Sequence, residues 1–181
     1  MVIAKKTGLK EALKYLIIFE ESLASFYHDA SLYCQEYPEF WNNASMTKTT
    51  RANLYASMLQ DIERHWINYE LTHEVAGPFI NLIKRIESEK KRLQEGRYSQ
   101  TAIVQFIREI ELAPVKTQVL PSIKGTTETF SKITLILDQI QDRQVRLMEG
   151  FLDGNARCNK AQGLKDPSPS SLSEPPQVCR P

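Results

Sequence analysis

The sequence predicts an all-α protein: a four-helix bundle with a crossover helix between its second and third members. Three observations predict it. Apolar side chains recur at alternating spacings of three and four over long stretches, the period of a helix with one buried face. Pro38, the pair Gly77 and Pro78, and Pro121 mark the breaks between these stretches. No segment shows the strict alternation of a half-buried strand.

The first helix is expected from about Thr7 and Gly8 to Glu36, ahead of Pro38. Leu9, Leu13, Leu16, Leu23, Tyr27, Ala30 and Cys34 form its stripe, and Glu20 falls on the same line. A carboxylate in an apolar stripe is costly to bury unpaired, so Glu20 should meet a cation, a metal or a hydrogen-bond donor from another helix. Residues 37 to 47 hold the following turn, although the segment beginning at Pro38 could already open the second helix with proline in its first turn. That second helix should run to about Thr72. Trp41, Ala44, Lys48, Arg51, Tyr55, Met58, Ile62, His65 and Tyr69 share its face, so cations and a histidine lie among apolar residues.

Beyond Gly77 and Pro78, the residues Phe79, Ile80, Leu82, Ile83, Ile86 and Leu93 mark a shorter amphipathic helix that ends in the polar run ESEKKRLQEGR. It is expected as a crossover outside the main bundle, with the charged run as a solvated face. Ser99 opens a third core helix carrying Val104, Ile107, Glu111, Pro114 and Gln118 on one line, kinked or interrupted at Pro114 and ended by Pro121. After KGTTE a fourth helix runs to about Asp153, with Phe130, Thr134, Leu137, Gln141, Gln144, Met148 and Phe151 on its stripe. The bundle domain therefore covers residues 1–153. Residues 154–181, rich in proline and serine and poor in apolar side chains, read as a flexible tail.

A chain of 181 residues suits one domain with a full core. The formal net charge of +1 suggests no nucleic-acid or membrane-surface partner. No apolar run approaches the ~20 residues of a membrane span. The opening residues MVIAKKTG lead into no signal-peptide pattern, so a cytoplasmic protein is expected. Cys34, Cys158 and Cys179 form no Cys-x-x-Cys pair, which excludes a zinc ribbon within this chain, and Cys34 reads as a small core residue. Neither a glycine-rich phosphate loop nor a Ser-His-Asp arrangement is present. His28 and His73 have no ligand-spaced carboxylate partner and read as surface residues.

Helices one and three repeat each other under a shift of 91 positions. Leu13, Tyr15, Leu16, Phe19 and Glu20 fall on Val104, Phe106, Ile107, Ile110 and Glu111. With this repeat, EALKYLIIFEESLASFYHDAS, SQTAIVQFIREIEL and FWNNASMTKTTRANLY resemble segments of the rubrerythrin-like members of the ferritin superfamily, over about residues 9 to 152. The resemblance implies a bundle in which two helices each give one glutamate and two each give a Glu-x-x-His pair, together holding two irons. Glu20 and Glu111 match the single glutamates. Aligned on Phe40 and Trp41, one pair falls on Lys48 and Arg51, and the other falls on Gln141 and Gln144. Cations and neutral amides do not replace anionic ligands around divalent metals. The expectation is a relic site of Glu20, Tyr27, Lys48, Arg51, Glu111, Gln141 and Gln144, a buried ion-pair network without metal.

A rival register starts the second helix later and brings Ile62 and His65 level with Glu20, so that Glu20, His65 and Glu111 could hold one metal, iron being the family's. Otherwise His65 is a core or boundary residue and Glu63 a solvated neighbour. Tyr27 is either a core aromatic on the polar network or, as the resemblance implies, a redox-adjacent tyrosine. The function expected first is a non-catalytic binding or structural module, with a homodimer through exposed helix faces as its possible assembly. The alternative is a rubrerythrin-type metal-dependent oxidoreductase acting on peroxide or dioxygen. Trp41, Tyr55 and Trp66 could instead wall a site for an apolar ligand or partner helix.

Overall fold

In the computed structural model α1 (Val2–Tyr33) and α2 (Pro38–Arg64) form an antiparallel hairpin. Lys10 reaches Glu63 at one end of it, and Ser45 Oγ donates to the Ala24 carbonyl towards the other. The turn is short. Tyr37 takes a left-handed backbone at φ 60°, uncommon for a residue with a side chain, and Pro38 occupies the first turn of α2, where a missing N–H costs nothing. Of the two placements left open by the sequence, the early start of α2 is the one observed. The structure describes residues 2–34, 37–65, 67, 69–71, 76–111 and 123–163, with side chains at 8–34, 37–65, 67, 69–70, 79–99, 102–111 and 123–151.

These residues form five helices and one two-stranded sheet. After the hairpin come β1 (Tyr69–Leu71), α3 (Ala76–Gln94), α4 (Gln100–Glu111), β2 (Ile123–Gly125) and α5 (Glu128–Gly163). The all-α class is therefore correct, with one small exception. β1 and β2 pair antiparallel with Tyr69 opposite Gly125 and Leu71 opposite Ile123. Strands of three residues are too short to show alternation in the sequence.

That ribbon also explains why α2 stops at Arg64 rather than near Thr72. Tyr69 fits the helical stripe by spacing, but its backbone joins the ladder and its hydroxyl turns back to donate to the Asp61 carboxylate. Tertiary pairing overrides the local period.

The expectation that the crossover helix lies outside the bundle is corrected. α3 runs parallel to α1, with Phe79 edge-on to Phe19 at 5.4 Å, Lys90 donating to Ser25 and Gln94 donating to Asp29. Its Phe79, Ile86 and Leu93 are fully buried, because their seven-residue spacing lays one stripe along α1. Gly96 at φ 67° then closes α3. Its N–H donates to the Leu93 carbonyl and that of Arg97 to the Arg92 carbonyl, the left-handed stop that glycine adopts without strain.

Ser99 caps α4 as predicted, its Oγ accepting from the Ala102 N–H. α4 returns antiparallel to α3, with Arg85 paired to Glu109, and packs Phe106 on Phe26 at 4.9 Å. Thr127 caps α5 by accepting from the Phe130 N–H. α5 lies antiparallel to α2, where Phe151 stacks on Phe40 at 4.0 Å. It runs on to Gly163, so the boundary expected at Asp153 falls inside a helix. Ala, Arg, Lys and Gln beyond it favour helix without needing an apolar face. The expectations for Trp66, His73, Pro114, Gln118, Pro121 and residues 164–181 lie outside the described residues. Among the described residues no helix is long and apolar enough to cross a membrane.

Candidate functional site

Four helices converge on one polar cluster inside the apolar core. Glu20 and Tyr27 stand seven residues apart on α1, two turns along the same face. Lys48, Arg51 and Tyr55 repeat that device on α2, Glu111 ends α4, and Gln141 and Gln144 face inward from α5. Leu16, Phe19 and Leu23 on the α1 stripe and Met58 on the α2 stripe are each at most 2% exposed, so the helices that carry the cluster bury apolar side chains next to it in the chain.

The seven residues of the expected relic site are joined by direct contacts. Lys48 Nζ lies 2.8 Å from Glu111 Oε1 and 2.9 Å from Oε2, so the ammonium straddles that carboxylate. It is 3.7 Å from Glu20 Oε2. Arg51 Nε donates to Glu20 Oε1 at 2.9 Å, Nη1 donates to the Gln141 carbonyl oxygen, and Nη2 donates to the Tyr55 hydroxyl at 3.1 Å. Tyr27 donates to Glu111 Oε1 at 2.7 Å, and Gln144 Nε2 donates to the same oxygen at 3.3 Å. Glu20 and Lys48 are 0% exposed and Arg51 is 3% exposed. Tyr55 belongs to the network too. The sequence placed it on the α2 stripe but gave no reason to separate its hydroxyl from ordinary core aromatics.

Formal charge balances within the cluster: two carboxylates face two cations. Burial by itself would lower the Arg51 pKa, but Glu20, Tyr55 and Glu111 more than offset it, and the guanidinium is held above its ordinary value. Burial also raises the Tyr27 phenol well above its usual range, and the Glu111 charge and hydrogen bond add to the effect. Tyr55 is pushed up to about 12 by burial, against the opposing influence of Arg51. Both phenols are therefore neutral near pH 7, Tyr27 donating to Glu111 and Tyr55 accepting from Arg51.

The rival register is not the one observed. Arg51, not His65, lies level with Glu20. His65 stands fourteen residues further along α2, a rise of ~21 Å at 1.5 Å per residue. There it is half exposed and pairs with Asp61 at 3.0 Å. Glu20, His65 and Glu111 thus form no common site. The early start of α2 at Pro38 is what sets this register.

The donor set does not fit a pair of divalent metals. Such a centre needs bridging carboxylates and imidazoles that carry net negative charge towards the ions. Here an ammonium occupies the space between Glu20 and Glu111, and it would repel a divalent ion at the same place. Among the described residues no three His, Cys, Asp or Glu side chains gather as a ligand set.

A second polar cluster escaped the sequence reading. Asp61, 8% exposed at the end of α2, accepts from Tyr69, from Thr127 Oγ1 at 2.6 Å and from His65. The pair Asp61 and His65, four apart on a helix, is visible in the sequence. Its junction with Tyr69 and Thr127 depends on the β ribbon and is not. His28 is exposed, in line with its surface reading, and Cys34 is a buried free thiol. Comparison with protein-family models, with curated proteins and with solved structures gives no match to this chain.

Proposed function

We propose that this protein is a ferritin-like bundle, rubrerythrin-like in pattern, in which a buried ion-pair network stands where a diiron centre would be, and that it serves as a non-catalytic binding or structural module. One observation carries the reading: the fully buried Lys48 ammonium sits between Glu20 and Glu111, the two residues that match the family's single glutamates. Arg51, three residues on, takes the position of the paired histidine and meets Glu20. Gln141 and Gln144, also three apart, supply amides in place of the second pair. In this cluster the Lys48 ammonium fills the space between the two carboxylates, and the formal charge that would attract a divalent ion is already balanced. The reading takes the protein as cytoplasmic. Apolar surface left on α5 at Leu135 and Ile136 is compatible with a homodimer through exposed helix faces.

The test restores the ligands. A variant carrying Lys48→Glu, Arg51→His, Gln141→Glu and Gln144→His regains two Glu-x-x-His pairs beside Glu20 and Glu111. It is expected to bind about two cobalt(II) ions per chain with visible ligand-field absorption, as a bundle-core dimetal site would, while the native protein binds none. A restored variant that folds yet takes up no metal would overturn the register and the family reading together. Iron or manganese in the native protein, lost on Glu20→Ala and accompanied by peroxide turnover, would establish the oxidoreductase instead.

A further inference from the structure

On the outer face of the α2 and α5 pair, apolar exposure and charge fall into one pattern. A hollow of about 400 Å³ opens there beside Ala44 and Thr47 of α2 and Leu147 of α5. Leu147 is 48% exposed, and Met46, on the same side of α2 as the lining residues Asn43 and Thr50, is 69% exposed. Small side chains next to projecting apolar ones leave a hole and its knobs on a single surface. The Thr47 and Thr50 hydroxyls donate to the Asn43 and Met46 carbonyls one turn back, so covering this face strands neither donor.

Glu39 and Arg143 line the same hollow and are exposed. Phe40 stacks on Phe151 and Arg51 reaches Gln141, a register that sets Ala44 level with Leu147. It puts Glu39 and Arg143 on opposite sides of that level, ~14 Å apart along the helices at 1.5 Å per residue. The two are too far apart to pair with each other, and neither meets an opposite charge among the described residues. A face with one charge of each sign, on either side of an apolar centre, is complementary to itself. A two-fold axis in the contact plane, through the midpoint between the charges and perpendicular to the line joining them, brings Glu39 of each copy onto Arg143 of the other. The same axis gathers Met46 and Leu147 of both copies at the middle, which gives the apolar core and charged rim of a specific interface.

We infer that two copies of this chain associate through the α2–α5 face, with Met46 and Leu147 at the centre and reciprocal Glu39–Arg143 pairs at the edges. The inference rests on the structural-module reading and names the partner and the contact. A nucleic acid or an anionic membrane would call for net positive charge, which one glutamate and one arginine do not supply.

The test follows the full chain by sedimentation velocity over a concentration series. The native protein is expected to dimerise. Glu39→Arg and Arg143→Glu, each alone, set like charges against each other at both edges and should raise the dimer dissociation constant by roughly a hundredfold. Equimolar mixing of these two variants gives heterodimers in which opposite charges meet again at both edges, and association should return to within about tenfold of native. Leu147→Lys puts a charge at the apolar centre and should remove dimers whatever stands at the edges. All three positions are exposed, and unchanged far-ultraviolet circular dichroism checks that each variant keeps the fold. A native chain that stays monomeric at every concentration, single variants that dimerise as the native chain does, or a mixture no more associated than its components would each overturn the inference. Cobalt uptake by the variant with restored ligands reports separately on the core, so a monomeric native chain counts against this face alone.

Discussion

Lys48 Nζ stands 2.8 Å from Glu111 Oε1 and 3.7 Å from Glu20 Oε2, with neither the lysine nor Glu20 exposed to solvent. Removing that cation leaves Arg51 to balance two buried carboxylates. Lys48→Met, similar in length and apolar, is predicted to destabilise the fold by about 3 to 5 kcal/mol, the cost of breaking one side of a buried ion pair. Urea unfolding should show a lower midpoint with an unchanged slope. Adding Glu111→Gln to the same chain removes the stranded charge and should recover part of the loss. A double variant no more stable than Lys48→Met alone would show that the two residues are not energetically paired.

The network was legible in the sequence because it depends on helical spacing. Glu20 on an apolar stripe, Lys48 and Arg51 three apart, and Gln141 and Gln144 three apart are facts of period, and period survives folding. Their register needed one further fact, the start of α2 at Pro38, which the sequence left open. The β ribbon was not legible, since Tyr69 fits a helix by spacing and joins a strand only because Gly125, far away in the chain, is its partner. The docking of α3 on α1 was hidden for a similar reason. Its amphipathic face announces that something covers Phe79, Ile86 and Leu93, not which helix does.

Asp61 should govern acid stability. Burial raises its pKa, but hydrogen bonds from Thr127, Tyr69 and His65 outweigh burial and hold the carboxyl below its ordinary value. A depressed folded pKa gives stability that is fully present above the unfolded value, about 3.9, and is lost as pH falls through the lower folded one. Asp61→Asn is predicted to flatten the decline of the urea midpoint below about pH 4 and to lower the midpoint at pH 7. A variant with the same acid slope as the native protein would assign that slope to other carboxylates.

The alkaline limb has the opposite sign. Tyr69 is pushed up to about 12, by burial first and then by its hydrogen bond to Asp61. Stability from a raised folded pKa is complete below the unfolded phenol value, about 10, and is lost as pH rises towards the folded one. Tyr69→Phe should therefore reduce the fall in stability between about pH 10 and 12. Spectrophotometric titration at 295 nm should show one fewer late-titrating phenol.

Gly125 has a steric requirement that the ribbon imposes. A methyl group there would lie 2.5 Å from Tyr69 Cε1 and 2.8 Å from Phe130 Cγ, two rings already packed edge-on at 5.5 Å. The Tyr69 ring cannot withdraw freely, because its hydroxyl is tied to Asp61 and Thr127. Gly125→Ala is predicted to cost about 1 to 3 kcal/mol through overpacking and to shift the near-ultraviolet circular dichroism of Tyr69. Unchanged stability would mean that the ribbon moves aside more easily than its hydrogen bonds suggest.

Tyr27 separates a structural tyrosine from a redox one. It is fully buried, donates to Glu111 at 2.7 Å, and packs near-parallel to Trp41 with ring centres 6.2 Å apart. Tyr27→Phe keeps the ring and deletes the donor, leaving Glu111 with Lys48 and Gln144. A hydrogen bond to a charged acceptor contributes about 1.5 to 3 kcal/mol, and the loss should appear in full in the urea midpoint. If the hydroxyl serves only the network, oxidation with one-electron oxidants should proceed alike in both proteins, because other tyrosines and tryptophan remain. A specific loss of one long-lived tyrosyl signal in Tyr27→Phe, with stability unchanged, would instead give this residue a redox role and count against the non-catalytic reading.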